Sequence, residues 1–568
     1  MNKLIECVPN FSEGRDSRKI KLITDAIEAV SGVKLMDVDM GAATNRTVVT
    51  IAGPPEAVLE ASFQGIKKAS EVIDMRGHQG AHARQGATDV CPFIPISGLD
   101  FTECIELSRK LAERVGRELE IPVYLYGMSA TRPEREKLPD IRKGEYEALE
   151  EKLTKPEWKP DYGPAKFNAR AGATVIGVRK FLIAYNVNLN TTRKQIASEI
   201  GSIIRESGKA AKDDAGGKIK DAEGKAVKKP GLLKNVQATG WYIDEYKRAQ
   251  VTINIMDHVE TPLHIVYETV KEQAEKLGAR VTGSELVGLI PKDAMLAAGR
   301  FYLDKMGLTR ALPEKEVIRT AVLSMGLAEL QPFDIDKKII EYHFSAKGLK
   351  DLKLTEFADE LAGESPAPGG GSVAALLGSL SAALTSMVTN LTYYKKDYQE
   401  FQKLMGDVGE KAQQLKQELL EAVDEDTRAF NQMAAAGKLP KNTDEEKAAR
   451  AEALEEANKY GMTVPCQTMV KSLDALRLVR EVAFHGNKNT ISDAGVANLC
   501  AMAGITGAWY NVRINSPSVK DSEFVSEMLI KCAKIVSEAE KLSSEIRTQV
   551  EMELPGRVTP ASSCPGCP

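Results

Sequence analysis

The chain has few histidines, no excess of charge of either sign and no long apolar run. Only six of 568 residues are histidine, and the formal net charge of −4 at pH 7 argues against a protein dominated by nucleic-acid binding. No run of about eighteen consecutive apolar residues occurs, so we expect no transmembrane helix. The first residues show no apolar stretch behind a basic tip, so no signal peptide is predicted and a cytoplasmic location is expected.

Cysteine is also sparse, with eight residues spread along the chain. Only Cys564 and Cys567 lie close together, in a CPGC tail that could bind a metal or form a disulfide, although a single pair in a tail is weak support for either role. The scattered cysteines are typical of free thiols in a reducing compartment.

The first 330 residues alternate between strand-like and helix-like segments. Apolar, β-branched stretches such as KLIECV, RTVVTIAG and VCPFIPI predict strands, and segments such as 55–73 repeat apolar residues at helical spacing. Two successive β-α-β-β-α-β patterns predict two ferredoxin-like α/β subdomains, residues 1–180 and 181–330. A Lys/Gly-rich stretch, 209–231, is predicted to be a mobile insertion loop.

The pattern changes after about residue 335. Residues 331–352 are predicted to be a linker, and residues 353–568 an all-α domain of five or more helices, because Ala, Leu, Glu and Lys dominate with almost no strand signal. Thr443, followed by glutamates, is predicted to begin one helix, and Ser492 or Asp493 to cap another.

Two of the six histidines, His78 and His82, lie four residues apart in a glycine-rich loop ahead of a predicted strand. A histidine there can act as a general base, since its pKa lies near neutrality. The spacing also fits a metal pair, but the glutamate of H-E-x-x-H is absent and Gly80 weakens a helix. A structural role for the loop is the third alternative.

Two other glycine-rich segments are candidate anion sites. The stretch Gly163–Gly172, GPAKFNARAG, leads into a strand with cations nearby, but no G-K-[ST] follows as in a P-loop. Pro368–Ser372, PGGGS, directly precedes a predicted helix whose N-terminal amides favour an anion. Turn geometry and close helix packing explain these two segments equally well.

Asp426 occupies a core position of a predicted helix. Leu419, Val423, Phe430 and Met433 form an apolar stripe at spacings that position 426 completes. Because a buried carboxylate is costly unless paired or neutralised, its pKa is expected to be raised, which suits an acid or base; a salt bridge to another helix is the alternative. Asp424 and Glu425 are expected to be solvated.

Together these segments resemble the bifunctional formimidoyltransferase-cyclodeaminases of histidine breakdown, from end to end. The resemblance rests on the segments VPNFSEGRD, MDVDMGAATNRTV, H-x-R-x-G-A-x-D-V-C-P-F-I-P, YLYG, RKFLIAYNVNL, GWYIDE, APGGGSVAA, LPKNT and W-Y-N-V-x-I-N. It implies transfer of a formimino group from N-formimino-L-glutamate to N5 of tetrahydrofolate, then closure to 5,10-methenyltetrahydrofolate with loss of ammonia.

The resemblance also implies roles for particular residues. His82 corresponds to the transferase base and Asp426 to the cyclodeaminase acid–base. The folate-binding loop corresponds to Gly163, Pro164, Ala165, Lys166, Phe167, Asn168, Ala169, Arg170, Ala171 and Gly172. Further candidate substrate or cradle contacts are Asn10, Asp39, Arg84, Pro368, Gly369, Gly370, Gly371 and Ser372.

The implied substrates are formiminoglutamate and tetrahydrofolate, the latter polyglutamylated, with no metal, nucleic acid or membrane as partner. The implied assembly is a homo-oligomer through pairing of like domains. Ala83 and Gln85 depart from the family, which usually has proline after the histidine and a bulky apolar residue before Gly86. Alternatives are a helical methenyltetrahydrofolate cyclohydrolase in the second half, a non-catalytic folate-binding protein and a metalloenzyme.

Overall fold

The computed structural model describes residues 3–42, 44–80, 82–211, 219, 227–344 and 348–555. The chain forms two compact units, residues 1–298 with 322–344 and residues 299–321 with 345–568. The predicted fold class, α/β followed by all-α, is confirmed: strands lie in the first unit and long helices in the second. The predicted domain boundaries at 180, 330 and 352 stay a prediction.

The first sheet of the first unit is mixed, with seven strands among the described residues. Its strands are β1 Leu4–Cys7, β2 Asn10–Phe11, β3 Lys34–Gly41, β4 Arg46–Gly53, β5 Thr88–Ser97, β6 Val123–Gly127 and β7 Thr174–Val178. The helices of this part are α1 Ser17–Glu28, α2 Pro55–Val72, α3 Phe101–Glu118, α4 Leu138–Ile141 and α5 Leu149–Lys152. Both β1 and β2 lie between β4 and β5, and β5, β7 and β6 run parallel.

Side chains alternate between the two faces of this sheet. Ile5, Cys7 and Phe11 belong to the buried core that includes residues of α1, α2 and α3. Since successive residues of a strand point to opposite faces, Glu6 and Asn10 lie on the other side, which we call the second face. Strand β4 contributes Arg46 to the second face, because Val49 and Ile51 belong to the core.

The second sheet of this unit is antiparallel, in the order β11-β12-β8-β13. The strands that follow β7 are β8 Ile183–Leu189, β9 Lys209–Ala210, β10 Lys228–Lys229, β11 Val236–Ile243, β12 Arg248–Ile255 and β13 Val281–Val287. The next helices are α6 Lys194–Ile204, α7 Leu263–Lys276, α8 Lys292–Lys305, α9 Glu314–Met325 and α10 Ile335–Lys338. Strands β9 and β10 pair at the base of the predicted insertion, whose residues 212–218 and 220–226 lie outside the described residues.

The second unit is built from long helices. They are α11 Leu354–Leu361, α12 Gly370–Tyr393, α13 Gln402–Gly437, α14 Asp444–His485, α15 Ile491–Asn515 and α16 Ser522–Glu553. Thr443 caps α14 as predicted, in a capping box with Glu446. The prediction that Ser492 or Asp493 caps α15 is wrong. The helix begins at Ile491, so Thr490 is its N-cap residue and Ser492 and Asp493 lie in its first turn. The CPGC tail lies outside the described residues.

Helix α12 is the one helix among the described residues that is long and apolar enough to cross a membrane by length and composition. Of its most apolar window, 61% is buried within the protein. The buried residues include Ala374, Ala375, Gly378, Ser381 and Ala382, so the small face of α12 is used for close packing between helices.

Candidate active sites

His82 lies in the loop that leads into β5, and one ring nitrogen is already engaged. Its Nδ1 lies 2.6 Å from the carbonyl oxygen of Ala83. Because a carbonyl can only accept, Nδ1 carries the proton, and Nε2 of the neutral ring keeps its lone pair. No described residue hydrogen-bonds to Nε2, so this nitrogen is available to take a proton from a ligand.

A bulge in β5 places a charged group beside this loop. Strand β2 pairs Asn10 with Val90 and Phe11 with Thr88, which leaves Asp89 as the extra residue. The buried Asp89 carboxylate accepts from the Gln85 backbone N–H at 2.9 Å and from two guanidinium groups. The guanidinium donors belong to Arg46, at 2.5 Å, and Arg142.

Burial and the positive charges of Arg46 and Arg142 change the pKa of His82 in the same direction. Desolvation lowers the pKa of His82 below its usual value of 6.5, and the Arg46 and Arg142 charges lower it further. The imidazole is therefore neutral at pH 7, which is the form a general base requires.

His78 is held differently from His82. Its Nε2 donates to the carbonyl of Asn45 at 2.8 Å, and its Nδ1 accepts from Arg84 Nε at 3.2 Å. Both nitrogens are thus engaged, so His78 shapes the loop rather than offering a lone pair to a metal. Within the described part of the chain, no three potential metal ligands converge.

The other predicted contact residues of this half, Asn10, Arg84 and Asp39, have different surroundings. Asn10 Oδ1 accepts from Arg46 Nε at 3.0 Å and so joins the Asp89 cluster. Arg84 is buried and its guanidinium pairs with Glu145 and Glu147 at 2.9 and 2.6 Å, which makes it part of the loop framework. Asp39 is exposed on β3, and its side chain makes no hydrogen bond or ion pair with a described residue.

The predicted folate-binding loop, residues 163–172, is joined to the histidine loop through the backbone. Ala87 N–H donates to Ala171 O at 2.8 Å, and Ala173 N–H donates to Gln85 O at 3.1 Å. Gly86 and Gly172 face each other across this bridge. The structure therefore brings together two segments that are about eighty residues apart in the sequence.

Gly172→Ala is expected to destabilise the protein by more than about 1 kcal/mol, because Gly172 has φ +70° and a Cβ there would lie 2.2 Å from Gln85 O. Denaturant unfolding measures this effect. Gly77→Ala is the matched control, since a Cβ at Gly77 meets nothing within 4 Å. Equal stability of the two variants would contradict the prediction.

Gln85, one of the two departures from the resembled family, is fully buried. Its Nε2 donates to the carbonyl of Ile141 at 2.7 Å, next to Arg142, which pairs with Asp89. The amide thus fills the place of a bulky apolar residue and fixes the segment that supplies Arg142. The other departure, Ala83, supplies the carbonyl that holds His82.

The second site joins Asp426 to the start of α12. Ser372 Oγ donates to Asp426 Oδ2 at 2.9 Å, and a Cβ at Gly371 would lie 2.1 Å from Asp426 Oδ1. Of the PGGGS segment, Gly370, Gly371 and Ser372 form the first turn of the helix and Gly369 its N-cap. The glycines thus let the carboxylate approach the helix N-terminus, where amides stabilise negative charge.

Burial dominates the electrostatics of Asp426. Desolvation raises the pKa of its carboxyl above the usual 3.8, while hydrogen bonds from the Ser372 hydroxyl and backbone oppose the shift. No described cation forms an ion pair with Asp426, so the alternative of an interhelical salt bridge is wrong. A half-buried carboxyl that titrates above its usual range suits proton transfer.

Three neighbours of Asp426 differ from the sequence prediction. Asp424, predicted to be solvated, accepts from the Leu349 backbone N–H at 2.6 Å, and Glu425 accepts from the Tyr460 hydroxyl. Phe430, predicted to lie in the core stripe, is 36% exposed, because the helix turns the smaller Ala429 inward.

The sequence analysis did not single out three residues around the histidine loop: Asn45, Arg46 and Arg142. Asn45 and Arg46 lie in the NRTV segment that carried part of the resemblance, which was a usable signal. Arg142 is 53 residues from Asp89 in the sequence and had no local signal.

Known protein families match this chain in three consecutive parts. Residues 4–179 match "Formiminotransferase domain, N-terminal subdomain", residues 184–345 match "Formiminotransferase domain", and residues 353–534 match "Formiminotransferase-cyclodeaminase".

Similar proteins are found over the whole chain and over each half. A formimidoyltransferase-cyclodeaminase from Gallus gallus is 43% identical over 97% of this chain and 99% of its own length. A glutamate formimidoyltransferase from Streptococcus pyogenes is 38% identical over 60% of this chain and 99% of its length. A methenyltetrahydrofolate cyclohydrolase from Methylorubrum extorquens is 41% identical over 35% of this chain and 97% of its length.

Proposed function

This chain belongs to the formimidoyltransferase-cyclodeaminase family, and from that premise we propose which residues perform its two reactions. It is a bifunctional folate enzyme of histidine degradation. It transfers the formimino group from N-formimino-L-glutamate to N5 of tetrahydrofolate and releases L-glutamate. It then cyclises 5-formiminotetrahydrofolate to 5,10-methenyltetrahydrofolate and releases ammonia.

In the transfer step, His82 is the general base. N5 attacks the formimino carbon, His82 Nε2 takes the N5 proton, and the C–N bond to glutamate breaks as the protonated His82 returns this proton to the glutamate nitrogen. The observation that carries this role is the free Nε2, opposite an Nδ1–H that donates to Ala83. The joined loop 163–172 is the folate-binding segment of this site.

In the cyclisation step, Asp426 moves the proton. N10 attacks the carbon of the protonated formimino group on N5, the N10 proton passes through the Asp426 carboxylate to the resulting amino group, and the C–N bond breaks to release ammonia and leave the 5,10-methenyl cation. Because burial raises the pKa of Asp426, its carboxylate is a stronger base than an exposed aspartate, which suits it to accept this proton and return it. Pro368, Gly369, Gly370, Gly371 and Ser372 form the cradle that positions it.

The transfer reaction should lose activity as the pH falls below the usual histidine pKa of 6.5, because only neutral His82 accepts a proton and its pKa is lowered. We expect kcat/KM for glutamate release to be level near pH 7 and above. Initial rates from about pH 5 to about pH 8 measure this profile. A loss of activity centred above 6.5 would contradict the lowered pKa.

A second candidate for the helical half is a methenyltetrahydrofolate cyclohydrolase, favoured by the similarity to the Methylorubrum enzyme. The two activities differ in their products. Incubation with formiminoglutamate and tetrahydrofolate, followed by assays for glutamate and ammonia, separates them. Equal amounts of glutamate and ammonia support the proposed pair of reactions; glutamate without ammonia would leave transfer alone and favour the cyclohydrolase.

We further propose that the folate is polyglutamylated. Supporting this is a cleft of about 360 Å³ in the second unit. Its cationic side chains are Lys441, Lys447, Arg450 and Lys520, with Glu455 as the one acidic member of the lining. Such a cleft suits a tail that carries several carboxylates.

A homo-oligomer in the cytoplasm is also proposed. Supporting an interface are large apolar side chains on α15 that remain exposed, namely Leu499 at 65%, Tyr510 at 61% and Ile514 at 74%. The described cysteines are free thiols, as in reducing compartments. Light scattering of the purified protein tests the oligomer, and cell fractionation tests the location.

A further inference from the structure

Glu6, on β1, is a buried carboxyl that the mechanism above does not use. Glu6 is 5% exposed, and its side chain forms no hydrogen bond or ion pair with any described residue. Burial raises the pKa of Glu6 to about 7, opposed only by the charge of Arg179. A buried carboxyl without a partner is costly, so its presence needs an explanation beyond packing.

The position of Glu6 relates it to the transferase site. It lies on the second face with Asn10 and Arg46, and these two contact each other and the Asp89 cluster beside His82. Opposite β4, Glu6 pairs with Ala52 and Asn10 with Val48, four residues apart. The backbones of Glu6 and Asn10 are therefore about 13 Å apart along the sheet, at about 3.3 Å per residue.

Glu6 therefore lies away from the reacting centre and can meet only the far end of a substrate that reacts at His82. The far end of formiminoglutamate carries carboxylates, which a carboxylate side chain repels. Tetrahydrofolate has N5 at one side of its bicyclic ring and the 2-amino group at the opposite end. A folate with N5 near His82 can therefore direct the 2-amino end toward Glu6.

The hydrogen-bonding groups of the pteridine ring are complementary to those of Glu6 and Arg179. The pyrimidine edge of the pteridine ring presents donors at the 2-amino group and N3–H and an acceptor at O4. A carboxylate accepts two parallel N–H donors, and a neighbouring guanidinium donates to an oxygen. Glu6 with Arg179 nearby offers this complement.

We propose that Glu6 binds the pteridine ring of tetrahydrofolate through its N3–H and 2-amino groups. The assignment rests on the proposed function, since it names the part of the transferase site that selects the folate. Glu6 is thereby a binding residue, remote from the proton transfer at His82.

The test is the steady-state kinetics of glutamate release by Glu6→Gln. We expect its KM for tetrahydrofolate to rise by about tenfold to a hundredfold, as for loss of a hydrogen bond to a charged group, with KM for formiminoglutamate nearly unchanged. The matched control is Glu60→Gln on α2, whose carboxylate pairs with Arg114 on the helical side of the sheet. Its KM for tetrahydrofolate should equal that of the wild type.

A modified folate provides a second test, which needs no protein variant. The wild type should show a KM for 2-desaminotetrahydrofolate about tenfold or more above that for tetrahydrofolate, and Glu6→Gln should discriminate less. Equal KM values for the two folates in the wild type would overturn the proposal even if Glu6→Gln fails to fold. A raised KM for formiminoglutamate alone, or lower stability with unchanged KM values, would also overturn it. No glutamate release by the wild type would overturn the proposed function and this assignment together.

Discussion

Replacing His82 by alanine is expected to reduce kcat for glutamate release by about 10²- to 10⁴-fold, the usual contribution of a general base. The cause is loss of Nε2, the ring nitrogen that no described residue occupies. The variant should still convert added 5-formiminotetrahydrofolate to methenyltetrahydrofolate at the wild-type rate. Glutamate release and methenyltetrahydrofolate absorbance, followed separately, measure the two effects.

Chemical rescue distinguishes a lost base from a disturbed loop. Imidazole added to His82→Ala should restore part of the glutamate release, because a diffusible base can enter the space that the side chain leaves. A variant that keeps glutamate release within a few-fold of the wild type would show that His82 is not the base.

Replacing Asp426 by asparagine is expected to stop cyclisation and let 5-formiminotetrahydrofolate accumulate. Asparagine keeps the shape and can still accept from Ser372 Oγ, but it cannot carry the proton from N10 to the departing amine. We expect a fall of about 10²- to 10⁴-fold in ammonia release with glutamate release unchanged. Both products are measured in one reaction mixture.

The neighbouring carboxylate is the control for that experiment. Asp424→Asn alters the acceptor of the Leu349 backbone N–H and should lower stability while ammonia release persists. If Asp424→Asn abolished cyclisation and Asp426→Asn did not, the catalytic carboxylate would have been assigned to the wrong residue.

The sequence singled out the loop of His78 and His82 but did not decide its role. A histidine in a glycine-rich loop can be a base, a structural residue or, with less support here, a metal ligand. The choice depends on hydrogen bonds to Asn45, Ala83 and Arg84, and the contact with Asn45 comes from a distant part of the chain. These contacts separate His78, with both nitrogens engaged, from His82.

At the second site, two weak sequence signals mark segments that only the folded structure brings into contact. Helical spacing marked Asp426, and glycines at a helix start marked the PGGGS segment, but 54 residues separate Ser372 from Asp426. Nothing in either pattern predicted that one would approach the other. The helical stripe also misplaced Phe430, because periodicity gives a face and not its exact width.

Other parts of the fold had no usable signal. Arg142 follows a short helix within an irregular, charged segment, and its contact with Asp89 depends on tertiary packing. The sequence VTGSELV forms β13, although its glycine and serine weaken the strand pattern. Glu6 lies in the correctly predicted first strand, but only the paired strands show that its carboxyl is buried without a partner.

We propose that two independent sites, one at His82 and one at Asp426, act in sequence on the same folate. Mixing His82→Ala with Asp426→Ala and measuring methenyltetrahydrofolate formed from formiminoglutamate and tetrahydrofolate tests this most directly. We expect that neither variant alone forms the product and that the mixture does, since each supplies the site the other lacks. A mixture that stays inactive, while each variant keeps its own half-reaction, would contradict it.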